Sequence, residues 1–161
     1  MKSRPAMKPE YDIKSIATGR KRYLDLLLMG DEQESMIDRY LMRGDMYVAF
    51  AGDEAVGVCV VTREADNLME IKNLAVSPDR RRTGIGHLLL RFIENRYEDC
   101  DIQLGTGATP STVKFYESAG YRYSHRIKDF FSINYDHPIV EEGVLLTDML
   151  YFIKRKSDKT V

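Results

Sequence analysis

An α/β fold with a sheet of mixed strand pairing is the class this sequence predicts. Two patterns predict it. In the first half, β-rich runs flank short turn strings, and strands joined by a short turn pair antiparallel. In the second half, strands alternate with amphipathic helices, and such crossovers permit parallel pairing. The 161 residues suit one domain, spanning 1–161, with 1–10 and 156–161 expected to be loose.

The elements follow in order. "RYLDLLLMG" reads as a short helix stopped at Gly30. "DEQESMIDRYLMRG" reads as a second, with Asp31 as cap, Met36, Ile37, Tyr40 and Leu41 on one face, and Gly44 as the stop. "DMYVAFAGDEAVGVCVVTRE" holds two strands around a turn at "AGDEA", and "DNLMEIKNLAV" a third that ends at "SPD". Ile85, Leu88, Leu89, Phe92 and Ile93 then form one helical stripe. "CDIQLGTGA" is a short strand. "TPSTVKFYESAG" is a helix with Thr109 as N-cap, Pro110 at its first position and Gly120 just past its end. "YRYSHRIKDFFSINY" and "GVLLTDMLYFIKRK" read as two late strands joined by the loop "DHPIVEE".

Composition excludes several classes. The hydrophobic fraction of 43% and charged fraction of 30% fit a globular protein rather than a disordered one. A net charge of −1 argues against nucleic acid as a general partner. No apolar run approaches the roughly 18 residues of a membrane span, and the start lacks a signal-peptide pattern, so no membrane association is expected. The two cysteines, Cys59 and Cys100, suggest no disulfide framework; Cys59 lies in the apolar run "VGVCVV" and reads as a core thiol. A reducing, cytoplasmic setting follows. His87, His125 and His137 have no metal-site spacing, so no metal is expected.

Against this balanced background, "DRRRTGIGHLLLRF" concentrates three arginines before a glycine turn that opens a helix. A helix N-terminus presents unpaired N–H groups and the positive end of a dipole. Glycine lets the backbone approach a ligand. Strand, glycine turn and helix together make an anion cradle, above all for phosphate. The string is neither a P-loop nor a dinucleotide fingerprint: it has no GxxxxGK[ST], and Leu89 stands where GxGxxG needs its third glycine. What remains is R-x-x-G-x-G at Arg81, Gly84 and Gly86.

"NLAVSPDRRRTGIGHLLLRFIE" resembles the acyl-CoA-binding segment of the GNAT superfamily of N-acetyltransferases, and "TVKFYESAGYRY" resembles that family's second segment. The resemblance runs from about Tyr23 to Lys154. It implies a mostly antiparallel central sheet flanked by helices, with a parallel, splayed strand pair at the acyl-CoA site. It implies acetyl-CoA as co-substrate, with backbone groups of Arg81, Arg82, Thr83, Gly84, Ile85, Gly86 and His87 holding the pyrophosphate. Leu74, Ala75 and Val76 would run beside the pantetheine arm. Tyr116 would protonate the departing thiolate, and Glu70 would serve as general base, directly or through water.

Two departures accompany it. Members often carry Asn six residues before the first aromatic of the aromatic–Tyr pair; here that place holds Thr109, with Ser111 close by, and either hydroxyl is a substitute. Glu70 alternates with Lys72 along one strand face, which also suits an exposed ion pair. Of the pair itself, Phe115 reads as the better core residue. The expected reaction is direct attack of a primary amine, small-molecule or peptide, on acetyl-CoA. The alternative is a non-catalytic acyl-CoA-binding regulator of the same fold. A loop bordering the acceptor site with Asp136, Glu141 and Glu142 would favour cationic amines, and the late strands offer an edge for a homodimer.

Overall fold

The computed structural model describes residues 10–159. Its elements are β1 (Asp12–Ser15), a 3-10 turn (Arg20–Tyr23), α1 (Leu24–Gly30), α2 (Glu34–Ile37), β2 (Asp45–Ala51), β3 (Glu54–Ala65) and β4 (Leu68–Val76). A second 3-10 turn (Pro78–Arg80) leads to α3 (Ile85–Arg96), β5 (Asp101–Thr106), α4 (Pro110–Ser118), β6 (Arg122–Ile127) and α5 (Phe130–Asn134). The small hairpin β7 (Val140–Glu141) and β8 (Val144–Leu145) precedes β9 (Met149–Lys154). The seven-stranded sheet has the order β1-β2-β3-β4-β5-β9-β6. Its β4–β5 pair is parallel and the other pairs are antiparallel.

Both faces of the sheet are covered, which explains the unbroken apolar run of β3, buried from Gly57 to Thr62. One face carries α3 and α4, with Ile85, Leu89, Leu90 and Ile93 against Cys59, Ile71, Leu104 and Phe152. The other carries α1 and α2, with Leu26, Leu27, Ile37 and Leu41 on Met46, Val48, Val58 and Val60. Burying each such side chain stabilises the fold by about 1.5–3 kcal/mol. Helix propensities differ by only about 0.7 kcal/mol per residue, so burial decides how α3 sits. It also rotates the expected stripe: Leu90 is buried, whereas Leu88 is exposed.

β4 stays paired with β3 from Leu68 to Val76 but loses β5 midway. Val60 pairs with Asn73 and Val61 with Ile71, so Lys72 is an extra, bulged residue. Pairing of β4 with β5 ends at Ile71 opposite Leu104, while β5 continues along β9 through Thr106. Past the bulge the two parallel strands part, and a cleft opens between them.

Several expectations need correction. Asp12–Ser15 forms an edge strand, β1, against β2 that was not expected from the sequence; residues 1–9 of the segment expected to be loose lie outside the described residues. The second helix is a single turn, Glu34–Ile37, and its N-cap is Gln33, not Asp31. "YRYSHRIKDFFSINY" is strand only to Ile127; Asp129 takes a left-handed φ of 56° and α5 follows. "GVLLTDMLYFIKRK" is divided between β8 and β9. The tail is held where it is described: Lys156–Asp158 forms a 3-10 turn, and Lys159 Nζ donates to the carbonyls of Glu94, Tyr97 and Cys100. Edge strand β6 exposes all six residues, among them Arg122 and Arg126, the kind of charge that discourages edge-to-edge pairing.

Candidate active site

The arginine–glycine turn lies where β4 hands over to α3. Gly84 adopts φ 89°, a conformation that disfavours any Cβ, and a Cβ there would meet no protein atom within 4 Å. The turn is therefore open on its outer side. Arg82 is also left-handed, at φ 63°. Thr83 Oγ1 donates to the Arg80 carbonyl at 2.5 Å and closes the loop. Among the described residues no protein acceptor meets the backbone N–H groups from Arg81 to His87, and no side chain caps α3. The three arginines divide their work: Arg80 pairs with Glu54 at 3.3 Å, whereas Arg81 and Arg82 have no ion-pair partner among the described residues.

A groove of about 850 Å³ starts at this turn. Its walls include Leu74, Val76, Arg80, Arg81, Arg82, Gly84, Ile85, Gly86, His87, Ser111, Thr112, Phe115 and Tyr116. A Cβ on Gly86 would approach the Phe115 ring to 2.9 Å, and the His87 and Phe115 rings lie 4.7 Å apart. Phe115, expected in the core, is half-buried and lines the groove, while Tyr116 is the buried member of the pair. Burial pushes the Tyr116 phenol upward, with a smaller contribution from Cys59. It therefore stays protonated and able to donate.

Other expected residues stand elsewhere. Thr109 is the N-cap of α4, but its side chain makes no cap bond; Oγ1 is buried without a partner and the residue is absent from the groove wall. Ser111 does line the groove and donates to Glu142. Ala75 packs on the opposite face, against the α1 cluster. Glu70 is buried rather than exposed: it accepts from Gln103 Nε2 at 2.6 Å and Tyr151 OH at 3.2 Å, and it pairs with Lys72.

Beyond Tyr116 the groove continues into the cleft between β4 and β5, lined by Asp31, Asn73, Leu74, Gly105, Gly107, Tyr116 and Tyr135. A side chamber shares Asp31, Ile71, Lys72, Gly105, Tyr135 and Met149 with the cleft and reaches Glu70, Arg39 and Tyr151. The rim is acidic, with Glu32, Glu141 and Glu142 on the groove wall. Glu142 and Gly143 are left-handed at φ 51° and 74°, as a two-residue hairpin turn requires. That turn sets the β7–β8 hairpin over the groove. Glu141 is pushed upward by burial, then by Glu32 and Glu142. His137 is tied to Asp136 and Glu32 and lies outside the groove and cleft. Asp31, Asn73, Lys72, Gln103 and Tyr135 were not identified as site residues in the sequence. Asp31 stood among polar residues directly after a helix stop, a position that equally suits a cap.

The groove fits an acyl-CoA chemically. Free N–H donors and two unpaired arginines suit a pyrophosphate, and the unpaired edge of β4 past Lys72 suits an amide-bearing arm. Among the described residues no group of three His, Cys, Asp or Glu side chains is placed to hold a metal ion, and no helix is long and apolar enough to cross a membrane.

A mixed sheet that parts at a bulge, beside an open helix N-terminus, suits an acyl-CoA-using transferase, and comparison with known proteins gives the family. The model of the acetyltransferase (GNAT) domain matches residues 29–150. An uncharacterized N-acetyltransferase of Bacillus subtilis (strain 168), YvbK, is 36% identical over 130 residues, 78% of this chain and 84% of the relative. A GNAT family acetyltransferase from Elizabethkingia anophelis, solved with acetyl-CoA bound, superposes with TM-score 0.84 at 31% identity, covering 90% of this chain and 97% of the other. A Bacillus subtilis acetyltransferase in complex with CoA gives TM-score 0.81 at 32% identity, covering 91% and 99%. The chain belongs to the GNAT acetyltransferase family.

Proposed function

We propose that this protein moves the acetyl group of acetyl-CoA to a primary amine by direct attack. The observation that carries the proposal is continuity: one groove runs from the N–H-lined turn past Tyr116 into a cleft that ends among carboxylates. Donor and acceptor then meet beside Tyr116, and holding them together supplies much of the acceleration.

Acetyl-CoA supplies the activated thioester. The chain's own groups do the rest. Backbone N–H groups from Arg81 to His87, with Arg81 and Arg82, hold the pyrophosphate. Leu74 and Val76, on the free edge of β4, align the arm, and an N–H there faces the charge that develops on the carbonyl oxygen. Tyr116 gives its proton to the departing sulfur. Ser111 is the hydroxyl of its segment that reaches the groove. An ammonium cannot attack until it loses a proton. Because the oxygens of Glu70 are engaged by Gln103, Tyr151 and Lys72, its proposed role is to receive that proton through water.

Thiol release from acetyl-CoA with a panel of primary amines tests the reading, comparing wild type with Tyr116→Phe. Single-turnover transfer should fall by about 10²–10⁴ in the variant, with acetyl-CoA affinity unchanged, because the hydroxyl acts in the transition state. Wild-type single-turnover rates in the variant would remove Tyr116 from the chemistry. Tight acetyl-CoA binding without turnover on any amine would favour the non-catalytic alternative.

A further inference from the structure

One carboxylate at the far end of the cleft is not neutralised by the fold. Asp31 directly follows α1 in an extended conformation. Its Oδ1 accepts from Tyr135 OH at 2.6 Å and its Oδ2 from Tyr40 OH at 3.0 Å. Among the described residues no lysine, arginine or histidine pairs with it, whereas Glu70 has Lys72 and Glu94 has Lys154. Asp31 lines both the cleft and the side chamber. Burial is the largest influence on its carboxyl and, with Glu32 nearby, pushes it above the usual aspartate value, against the opposing pull of Tyr135, Tyr40 and the Gln33 backbone N–H.

Asn73 lies on the same wall and holds Tyr40 in place: it is buried, and its Nδ2 donates to the Leu27 carbonyl at 2.9 Å and to Tyr40 OH at 3.1 Å. Its Oδ1 is turned to Gly30, where an added Cβ would collide with it, so Asp31 is the acceptor that the cleft offers. A carboxylate withdrawn from water without an ion-pair partner is costly. A neutral hydroxyl brings it no charge, whereas an ammonium brings positive charge and three N–H donors.

We infer that Asp31, held by Tyr40 and Tyr135, is the seat of the acceptor's ammonium group. The inference rests on the acetyl-transfer reading above and deepens it. Tyr40 and Tyr135 are positioning residues: they come from separate segments and hold the carboxylate by both oxygens. From this seat one N–H bond breaks, the electron pair stays on nitrogen, and the proton leaves through the side chamber that Asp31 shares with Glu70. The freed pair forms the C–N bond, the C–S bond breaks with its pair on sulfur, and sulfur takes the Tyr116 proton. The nitrogen gives up its second proton on collapse, which restores the Tyr116 hydroxyl. One proton reaches solvent per turnover.

The test uses the full chain loaded with CoA, titrated by NMR with n-butylamine and, separately, with 1-butanol. The wild type should bind the ammonium at least about tenfold tighter than the alcohol, the scale of one charged hydrogen bond. Asp31→Asn should abolish that preference and leave CoA affinity unchanged. A preference that persists in Asp31→Asn, or one missing from the wild type, overturns the inference. The same titrations without CoA separate it from the cofactor reading, which fails only if CoA does not bind. Should the variant not fold, the ¹³C carboxyl resonance of Asp31 in labelled wild type decides. It should move with n-butylamine and not with 1-butanol, and an unmoved resonance overturns the assignment.

Discussion

Glu94, buried, and Asp31, half-buried, are both carboxylates bonded to tyrosine. Glu94, on α3, accepts from Tyr121 OH at 2.9 Å and from Lys154 Nζ at 3.0 Å, and Lys154 also donates to the Ala119 carbonyl at 3.0 Å. Asp31 receives two hydroxyls and no cation. The first set is complete: charge and hydrogen bonds are satisfied from within, and its work is to bind α3, α4 and β9 together. The second is incomplete in the one respect a ligand can supply. In a low-dielectric interior a satisfied polar network rigidifies the fold, and an unsatisfied one marks either strain or a site. Asp31 faces a cleft that leads to Tyr116, so it is read as a site.

The largest effect that bears on this comparison should come from Lys154→Met. It leaves Glu94 buried and unpaired and should cost about 3–5 kcal/mol in denaturant unfolding. A loss under about 1 kcal/mol would mean that Glu94 is not held as an ion there, and the contrast with Asp31 would collapse. Asp31→Asn should behave oppositely. Its carboxyl is raised in the folded state, so the ionised form costs stability, and that cost grows as pH rises from the unfolded value of 3.8 through the folded one. The variant's Tm at pH 7 should therefore equal or exceed that of wild type, and the gap should close below pH 3.8. A destabilisation matching that of Lys154→Met would make Asp31 a structural residue.

The smallest effect belongs to His137, which is exposed and raised by Asp136 first and Glu32 second. A raised histidine stabilises the fold fully below its unfolded value of 6.5 and loses that contribution as pH rises through the folded value. His137→Gln should melt slightly below wild type under pH 6.5 and match it in alkaline buffer. An equal deficit at both pH values would show that packing, not charge, links Asp136 to Glu32.

The two ends of the groove differ in how they are encoded. The end proposed to hold phosphate is one continuous peptide, Arg81–His87, in which glycine positions, charge and helix onset are local properties; reading them in order is enough. The same holds for the β2–β3 hairpin and for the Pro110-to-Gly120 helix, whose boundaries are set by turn and cap chemistry. The end proposed to seat the amine joins Asp31, Tyr40 and Tyr135, and the Tyr135 bond to Asp31 spans 104 positions. No local pattern distinguishes Asp31 there from a helix cap. Strand β1 escaped notice because only Ile13 of its four residues is partly buried, so alternation had nothing to register. Helix α5 was hidden inside an apolar run that suits either conformation.

Short-range chemistry along the chain thus carried the class of fold and the open arginine–glycine turn, while Tyr116 was proposed only through the family resemblance. Which of Phe115 and Tyr116 is the more deeply buried was settled only by packing, because both rings sit on one short helix, line the groove, and meet different neighbours. The bulge at Lys72 was settled the same way: it arises from the register between β3 and β4, not from any property of lysine. That bulge parts β4 from β5, opens the cleft, and brings a carboxylate without a cation to its end.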